Sequence, residues 1–241
     1  MTLIATTVAR HLPLLLCGLI GVAWLITAAL WRRGAPSPTS QWRIVALAIA
    51  LFGLLATMPP AVVAWDQAIA EAMRTEVPRP QLEAAYAITW FGNFETLVVI
   101  GGIVALALAA CRRRSDLALW VAVTLGNGLL NRLLKHGFAR TRPLHDHGLV
   151  IEPAYSFPSG HASGALAVYG LLAILLMPHL APAARLPVLL ATAALVLMVG
   201  ASRVILHVHF ASDVLAGYAS ALAVMIAGHA LRERSLRRAA R

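Results

Sequence analysis

The sequence predicts an all-α fold, a polytopic transmembrane bundle of about six to seven helices. Three observations predict it. Of 241 residues, 60% are hydrophobic and only 12% are charged, and the mean hydropathy is +0.77; an average soluble domain carries about 25% charged residues. Apolar runs recur at roughly the 20-residue length that crosses a bilayer as a helix. The charged residues gather in short segments between those runs, which is how membrane proteins fix their orientation. The net charge of +10 therefore does not point to nucleic acid, since no long basic face interleaved with aromatics accompanies it.

Seven apolar runs lie at residues 12–31, 44–64, 86–110, 117–134, 159–177, 187–200 and 214–231. The first follows Arg10-His11, is too long for the core of a signal peptide, and ends in Trp31-Arg32-Arg33 instead of a small-residue cleavage site. It reads as a retained helix. Gly34-Ala35-Pro36-Ser37-Pro38-Thr39 is a turn, and Pro59-Pro60 ends or kinks the second run. Residues 65–77 differ in character: Asp66, Glu71, Arg74 and Glu76 alternate with Ile69, Ala70, Met73 and Val77, the pattern of an amphipathic helix lying at the interface. Such a helix serves either as a lip for lipid or as a plain connector. Cys17 and Cys111 fall in or at the end of apolar runs without partners at metal-ligand spacing, and read as small membrane-core residues.

Threading seven helices places 12 of the 20 basic residues on one side: Arg32, Arg33, Arg43, Arg112, Arg113, Arg114, Arg185, Arg232, Arg234, Arg237, Arg238 and Arg241. That side is expected to be cytoplasmic, with the C-terminus inside and the N-terminus outside. The same threading brings three polar clusters to the opposite face. Lys135 to Pro143 closes the fourth run, Ser156 to His161 opens the fifth, and Ser202 to Asp213 joins the sixth to the seventh.

Each cluster has a bland reading and a chemical one. Pro158, Ser159 and Gly160 before a helix make an ordinary N-cap, and equally a phosphate cradle of unpaired N–H groups at a positive dipole end. Lys135, Arg142 and Arg203 taken singly are cations that snorkel to the interface. Converging together with histidines, they call for a counter-ion, and a phosphate group supplies it. Lys135 continues a polar stripe with Asn131 and Asn127 at helical spacing, a stripe that either serves the site or hydrogen-bonds neighbouring helices. His209 and Asp213 stand four apart, so the carboxylate can fix one ring nitrogen and leave the other free to attack. His207 competes for that role, but the spacing to Asp213 favours His209.

Lys135 with Arg142-Pro143, then Pro158-Ser159-Gly160-His161, then Ser202-Arg203 with His209 and Asp213, resemble the three-part signature of the type 2 phosphatidic acid phosphatase (PAP2) superfamily. The resemblance divides the chain into N-terminal helices plus the interfacial helix (1–85), a PAP2-type catalytic core (86–231) and a basic cytoplasmic tail (232–241). It implies a phosphatase that works through a phosphohistidine, with no cofactor and no metal. His209 would be the nucleophile, Asp213 its orienting partner and His161 the general acid. Lys135, Arg142 and Arg203 would hold the phosphoryl oxygens, with Ser159 and Gly160 adding donors. His145 and His147, in a loop, match zinc spacing only loosely and read as solvated.

The partners implied are membrane lipids and a lipid phosphate substrate: undecaprenyl pyrophosphate, phosphatidylglycerophosphate, phosphatidic acid or a lipid A phosphate. The expected location is a bacterial inner membrane with the site facing the periplasm. A lipid phosphotransferase of the same superfamily is the alternative enzyme, distinguished by acceptor-dependent transfer. A non-enzymatic transporter of phosphorylated lipids is the alternative outside enzymes; it needs cations along a pathway but no nucleophile.

Overall fold

The computed structural model describes residues 37–144, 148–150, 152 and 155–239. The expected helix at 12–31, Cys17 and the loop histidines His145 and His147 lie outside the described residues. Those described are helical throughout their regular structure, in the order α1 (Pro38–Ala56), α2 (Pro60–Glu76), α3 (Arg79–Thr89), α4 (Phe94–Ala110), α5 (Arg114–Phe138), α6 (Gly160–His179), α7 (Pro182–Ile205) and α8 (Ala211–Ala239). Six stretches are long and apolar enough to cross a membrane, with α3 and α4 together forming one of them, Arg79–Ala110. They correspond to the six apolar runs from residue 44 onward.

Side chains are distributed as a bilayer demands. Leu47 and Leu54 on α1, Val99, Ile103 and Leu106 on α4, and Leu125, Leu129 and Leu133 on α5 all face outward, where lipid tails are as apolar as they are. The interior holds Trp120 and Val123 of α5, Leu166 and Leu171 of α6, Val196 and Val199 of α7, and Tyr218, Met225 and Ile226 of α8. Since lipid gives helices no hydrophobic reason to associate, packing and internal hydrogen bonds must hold them. Trp120 Nε1 donates to Gly101 O (3.0 Å) and Tyr218 Oη to Val196 O (2.6 Å), each tying one spanning helix to another. Gly217 permits a close approach to backbone: a Cβ there would stand 2.6 Å from the carbonyl of Ser159, so α8 can lie directly against the start of α6.

Two boundaries differ from the expected runs, each for a local reason. The run 44–64 stops at Ala56, because Met58 takes a left-handed backbone (φ 47°) and Pro60 begins a new helix. Proline suits a first helical position, where its missing N–H has no intrahelical role. Thus the amphipathic helix starts at Pro60, and its Asp66 and Ile69 are buried against the bundle. The run 86–110 is interrupted by a 3₁₀ turn at Trp90–Gly92, after which Asn93, extended at φ −63° and ψ 147°, starts α4. Gly92 gives this turn its room, for a Cβ would come within 3.1 Å of the His161 ring.

Candidate active site

The C-terminal ends of α5 and α7 and the N-terminal ends of α6 and α8 meet at one end of the bundle, bringing the three polar clusters together. Two connections do the joining, a long one between α5 and α6 and a tight turn between α7 and α8. Between α5 and α6, Ala139 takes a left-handed backbone that stops α5, and Ser156 binds back onto Arg140 O through its N–H (2.8 Å) and onto Thr141 O through its hydroxyl (3.0 Å). Between α7 and α8, the N–H groups of Val208 and His209 both donate to Arg203 O at 3.2 Å. That turn folds His209 back beside Arg203. The two connections are joined in turn by Ser159 N–H donating to Asp213 O (2.9 Å).

His209 lies at the centre, almost fully buried. Its Nδ1 stands 3.4 Å from Asp213 Oδ2, which also accepts the Phe210 N–H at 2.9 Å. Its Nε2 is 3.1 Å from Arg142 Nη1. A guanidinium can only donate, so Nε2 must carry the lone pair and Nδ1 the proton. The carboxylate side therefore fixes the tautomer, and the lone pair points towards the cations. Burial holds the imidazole well below its ordinary pKa of 6.5, reinforced by the positive charges of Arg142, Arg203 and Lys135. His209 is thus a neutral imidazole with its lone pair on Nε2. His207 sits two residues earlier in a left-handed backbone (φ 52°), and it is the His209 ring that meets both Asp213 and Arg142.

The cations surround this point. Arg142 donates to Val208 O (2.5 Å) and Tyr155 O (3.2 Å), and Lys135 Nζ to Tyr155 O (2.5 Å). Arg203, 1% exposed, donates through Nη1 to Thr89 Oγ1 (2.7 Å), while its Nε meets no acceptor among the described residues. Glu152 bridges two of them, with one oxygen on Arg203 and the other 3.4 Å from Arg142 Nη2. A bridging carboxylate is a two-oxygen anion held by two guanidinium forks, and a phosphoryl group offers the same oxygens.

His161, on the first turn of α6, lies within electrostatic reach of His209, Arg203, Arg142 and Lys135. Its Nε2 donates to Asn93 Oδ1 (2.9 Å). Ser159 caps α6 through Oγ (3.4 Å to Ala162 N), and Asn131 supports the same turn by donating to Ser163 Oγ (3.2 Å) and Pro158 O (3.4 Å). Gly160 packs so tightly there that a Cβ would lie 3.3 Å from Asn131 Oδ1 and 4.0 Å from Lys135 Cε. All eight residues singled out from sequence, Lys135, Arg142, Ser159, Gly160, His161, Arg203, His209 and Asp213, converge on this one end. Among the described residues, no three His, Cys, Asp or Glu side chains group as metal ligands.

Sequence reasoning missed Asp66, Thr89, Asn93, Arg140, Glu152 and Ser212. Arg140 gave no usable signal, since alternation along an extended segment would put it on the same side as Arg142 two residues on. The structure instead turns it to Asp213 Oδ1 (2.6 Å) and Asp66 Oδ2 (2.8 Å), to both of which it donates. Asn93 was marked only by its place after Gly92, the turn that aims it at His161.

Comparisons with known proteins identify the family. The model of the PAP2 superfamily matches residues 116–237. The chain is 35% identical over 161 residues to phosphatidylglycerophosphatase B of Bacillus subtilis, covering 65% of this chain and 78% of that one. It is 26% identical over 220 residues to a lipid A 1-phosphatase of Rhizobium johnstonii, covering 81% and 83%. The crystal structure of a transmembrane PAP2 type phosphatidylglycerolphosphate phosphatase from Bacillus subtilis superposes with a TM-score of 0.72 at 31% identity, covering 79% of this chain and 96% of that one. With its membrane-length helices and this match, the chain belongs to the PAP2 superfamily and is an integral membrane phosphatase.

Proposed function

We propose that this protein hydrolyses a lipid phosphomonoester or diphosphate through a phosphohistidine on His209, without a metal ion. One observation carries the reading. The His209 ring has a carboxylate at Nδ1 and a guanidinium donor at Nε2, inside a group of buried cations. Nε2 attacks phosphorus, the bond from phosphorus to the lipid oxygen breaks, and His161 protonates the departing oxygen. Asp213 balances the positive charge that appears on the ring. In the second step His161 takes a proton from water, the hydroxide attacks phosphorus, and the P–N bond breaks to release phosphate.

Lys135, Arg142 and Arg203 supply the fixed positive charge that phosphoryl transfer requires of its surroundings. Ser159 and Gly160 add donors at the start of α6. Glu152 must release the two guanidinium groups as the phosphoryl group arrives. The glycerolipid phosphate phosphatidylglycerophosphate is the leading substrate, because the relative named for it shares 35% identity. The arginine-rich end of the bundle faces the cytoplasm, and the site opens at the other face.

The test is a phosphate-release panel with the purified protein in detergent and EDTA present. It compares phosphatidylglycerophosphate, phosphatidic acid, undecaprenyl pyrophosphate and lipid A. Release with EDTA present, lost in His209→Ala by at least about 10³-fold, is the expected result. Metal-dependent release, or release surviving the substitution, contradicts it.

A further inference from the structure

Asp66 lies on α2, outside the matched region 116–237, yet is linked to His209 through three contacts, by way of Arg140 and Asp213. It is 2% exposed. Its Oδ1 accepts the Ser212 N–H (3.0 Å), and its Oδ2 accepts the Ser212 hydroxyl and Arg140 Nη2 (2.8 Å). Arg140 spends its other nitrogen on Asp213 Oδ1 (2.6 Å) and Ser212 Oγ (2.8 Å), and its guanidinium lies 4.2 Å above the centre of the Phe210 ring. One cation, 12% exposed, is therefore shared between two buried carboxylates.

We propose that Asp66 is a positioning residue for the nucleophile, acting through Arg140 on Asp213 and so on the His209 ring. The inference rests on the phosphohistidine reading above. Two physical effects support it. Arg140 hangs from an extended segment with several rotatable bonds, and a guanidinium held on one fork alone would be free to swing. Asp66 fixes the second fork, which sets Asp213 Oδ1 in place while the Phe210 N–H sets Oδ2. The second effect is charge. A lone Arg140–Asp213 pair would be neutral, whereas two carboxylates around one guanidinium keep a net negative charge behind His209. That charge favours the imidazolium that forms as Nε2 takes the phosphorus.

A purely structural Asp66 would only tie α2 to the first turn of α8 through Ser212. The two roles separate in kinetics. Asp66→Asn keeps an acceptor for the Ser212 N–H and leaves Arg140 paired with Asp213, so no buried charge is orphaned. The experiment measures hydrolysis of phosphatidylglycerophosphate by the full-length protein in detergent, in Asp66→Asn, Asp213→Asn, the double variant and His209→Ala. Asp66→Asn should lower kcat on the order of 10–100-fold, as loss of an outer partner typically does, with KM within about 3-fold. In the Asp213→Asn background the same change should cost less than about 3-fold, since the target of the positioning is gone. An unchanged kcat, a change confined to KM, or the full loss recurring in the Asp213→Asn background overturns the proposal. Should Asp66→Asn not remain monodisperse, Arg140→Lys decides: a lysine cannot bridge both carboxylates, so kcat should fall at least about 10-fold with KM held, and an unchanged kcat overturns the proposal. Activity surviving in His209→Ala would sink the phosphohistidine reading itself; loss there with Asp66→Asn intact would sink the Asp66 role alone.

Discussion

The two ends of the bundle are built from the same side chains and differ in what those side chains can lean on. At the end away from the site, Arg113 Nε (2.6 Å) and Arg232 share Asp116, and these arginines are 31% and 24% exposed; Arg237, on the tail of α8, is 64% exposed. Water reaches these guanidinium groups, although the Asp116 carboxylate that two of them share is itself buried. At the site end Arg142 and Arg203 are 9% and 1% exposed. Withdrawn from water, they require an anion, and Glu152 serves both. Burial therefore distinguishes an arginine that water can reach from one that needs an anion inside the protein.

Substitutions at the two ends put that contrast at risk. The largest effect is expected from His161→Ala, which under the proposed mechanism removes a proton donor worth roughly 10²–10⁴-fold in kcat; Arg232→Ala at the opposite end should leave kcat within about 2-fold. Comparable losses would erase the distinction. Next, Arg203→Lys should lower kcat/KM roughly 10–100-fold, because a point charge cannot hold Thr89 and a phosphoryl oxygen with one planar fork. An assay with both lysine variants, Arg203→Lys and Arg232→Lys, reads this directly.

Glu152→Gln sharpens the comparison from the anion's side. Freed of a competing carboxylate, the guanidinium pair should bind inorganic phosphate more tightly, by roughly 10-fold or about 1.4 kcal/mol, seen as a lower inhibition constant. Weaker inhibition would mean that Glu152 helps to hold phosphate. The smallest effect concerns acid stability. The folded protein keeps His209 neutral, with its pKa below the ordinary 6.5, whereas the unfolded chain takes up the proton at that value. Stability supplied by the neutral ring is present above pH 6.5 and drains away as pH falls towards the lowered value. Thermal midpoints between pH 7 and 5 should fall more steeply for wild type than for His209→Asn, and parallel curves would contradict the assignment.

The spanning helices were legible because twenty consecutive apolar residues have few other uses, and alternating them placed Lys135, Ser159 and Arg203 at one end. The site residues marked by spacing, such as His209 and Asp213 at one helical turn, were legible for the same reason: regular geometry converts sequence distance into spatial distance. Asp66, Thr89, Asn93 and Glu152 were not. Asp66 reads as one acidic position among several on an amphipathic helix, and only tertiary packing distinguishes it from the exposed Glu71 further along the same helix. Asn93 depends on a break within an apolar run that hydropathy alone leaves continuous. Glu152 sits in a connection without periodicity, where no rule fixes the direction of a side chain.

The central claim is the covalent step at the buried end. Lipid phosphate carrying ³²P, mixed with the protein and quenched in alkali within milliseconds, should leave a label that is stable in base, labile in acid and mapped by mass spectrometry to His209. Label on another side chain, or single-turnover phosphate release that never passes through labelled protein, would contradict the account.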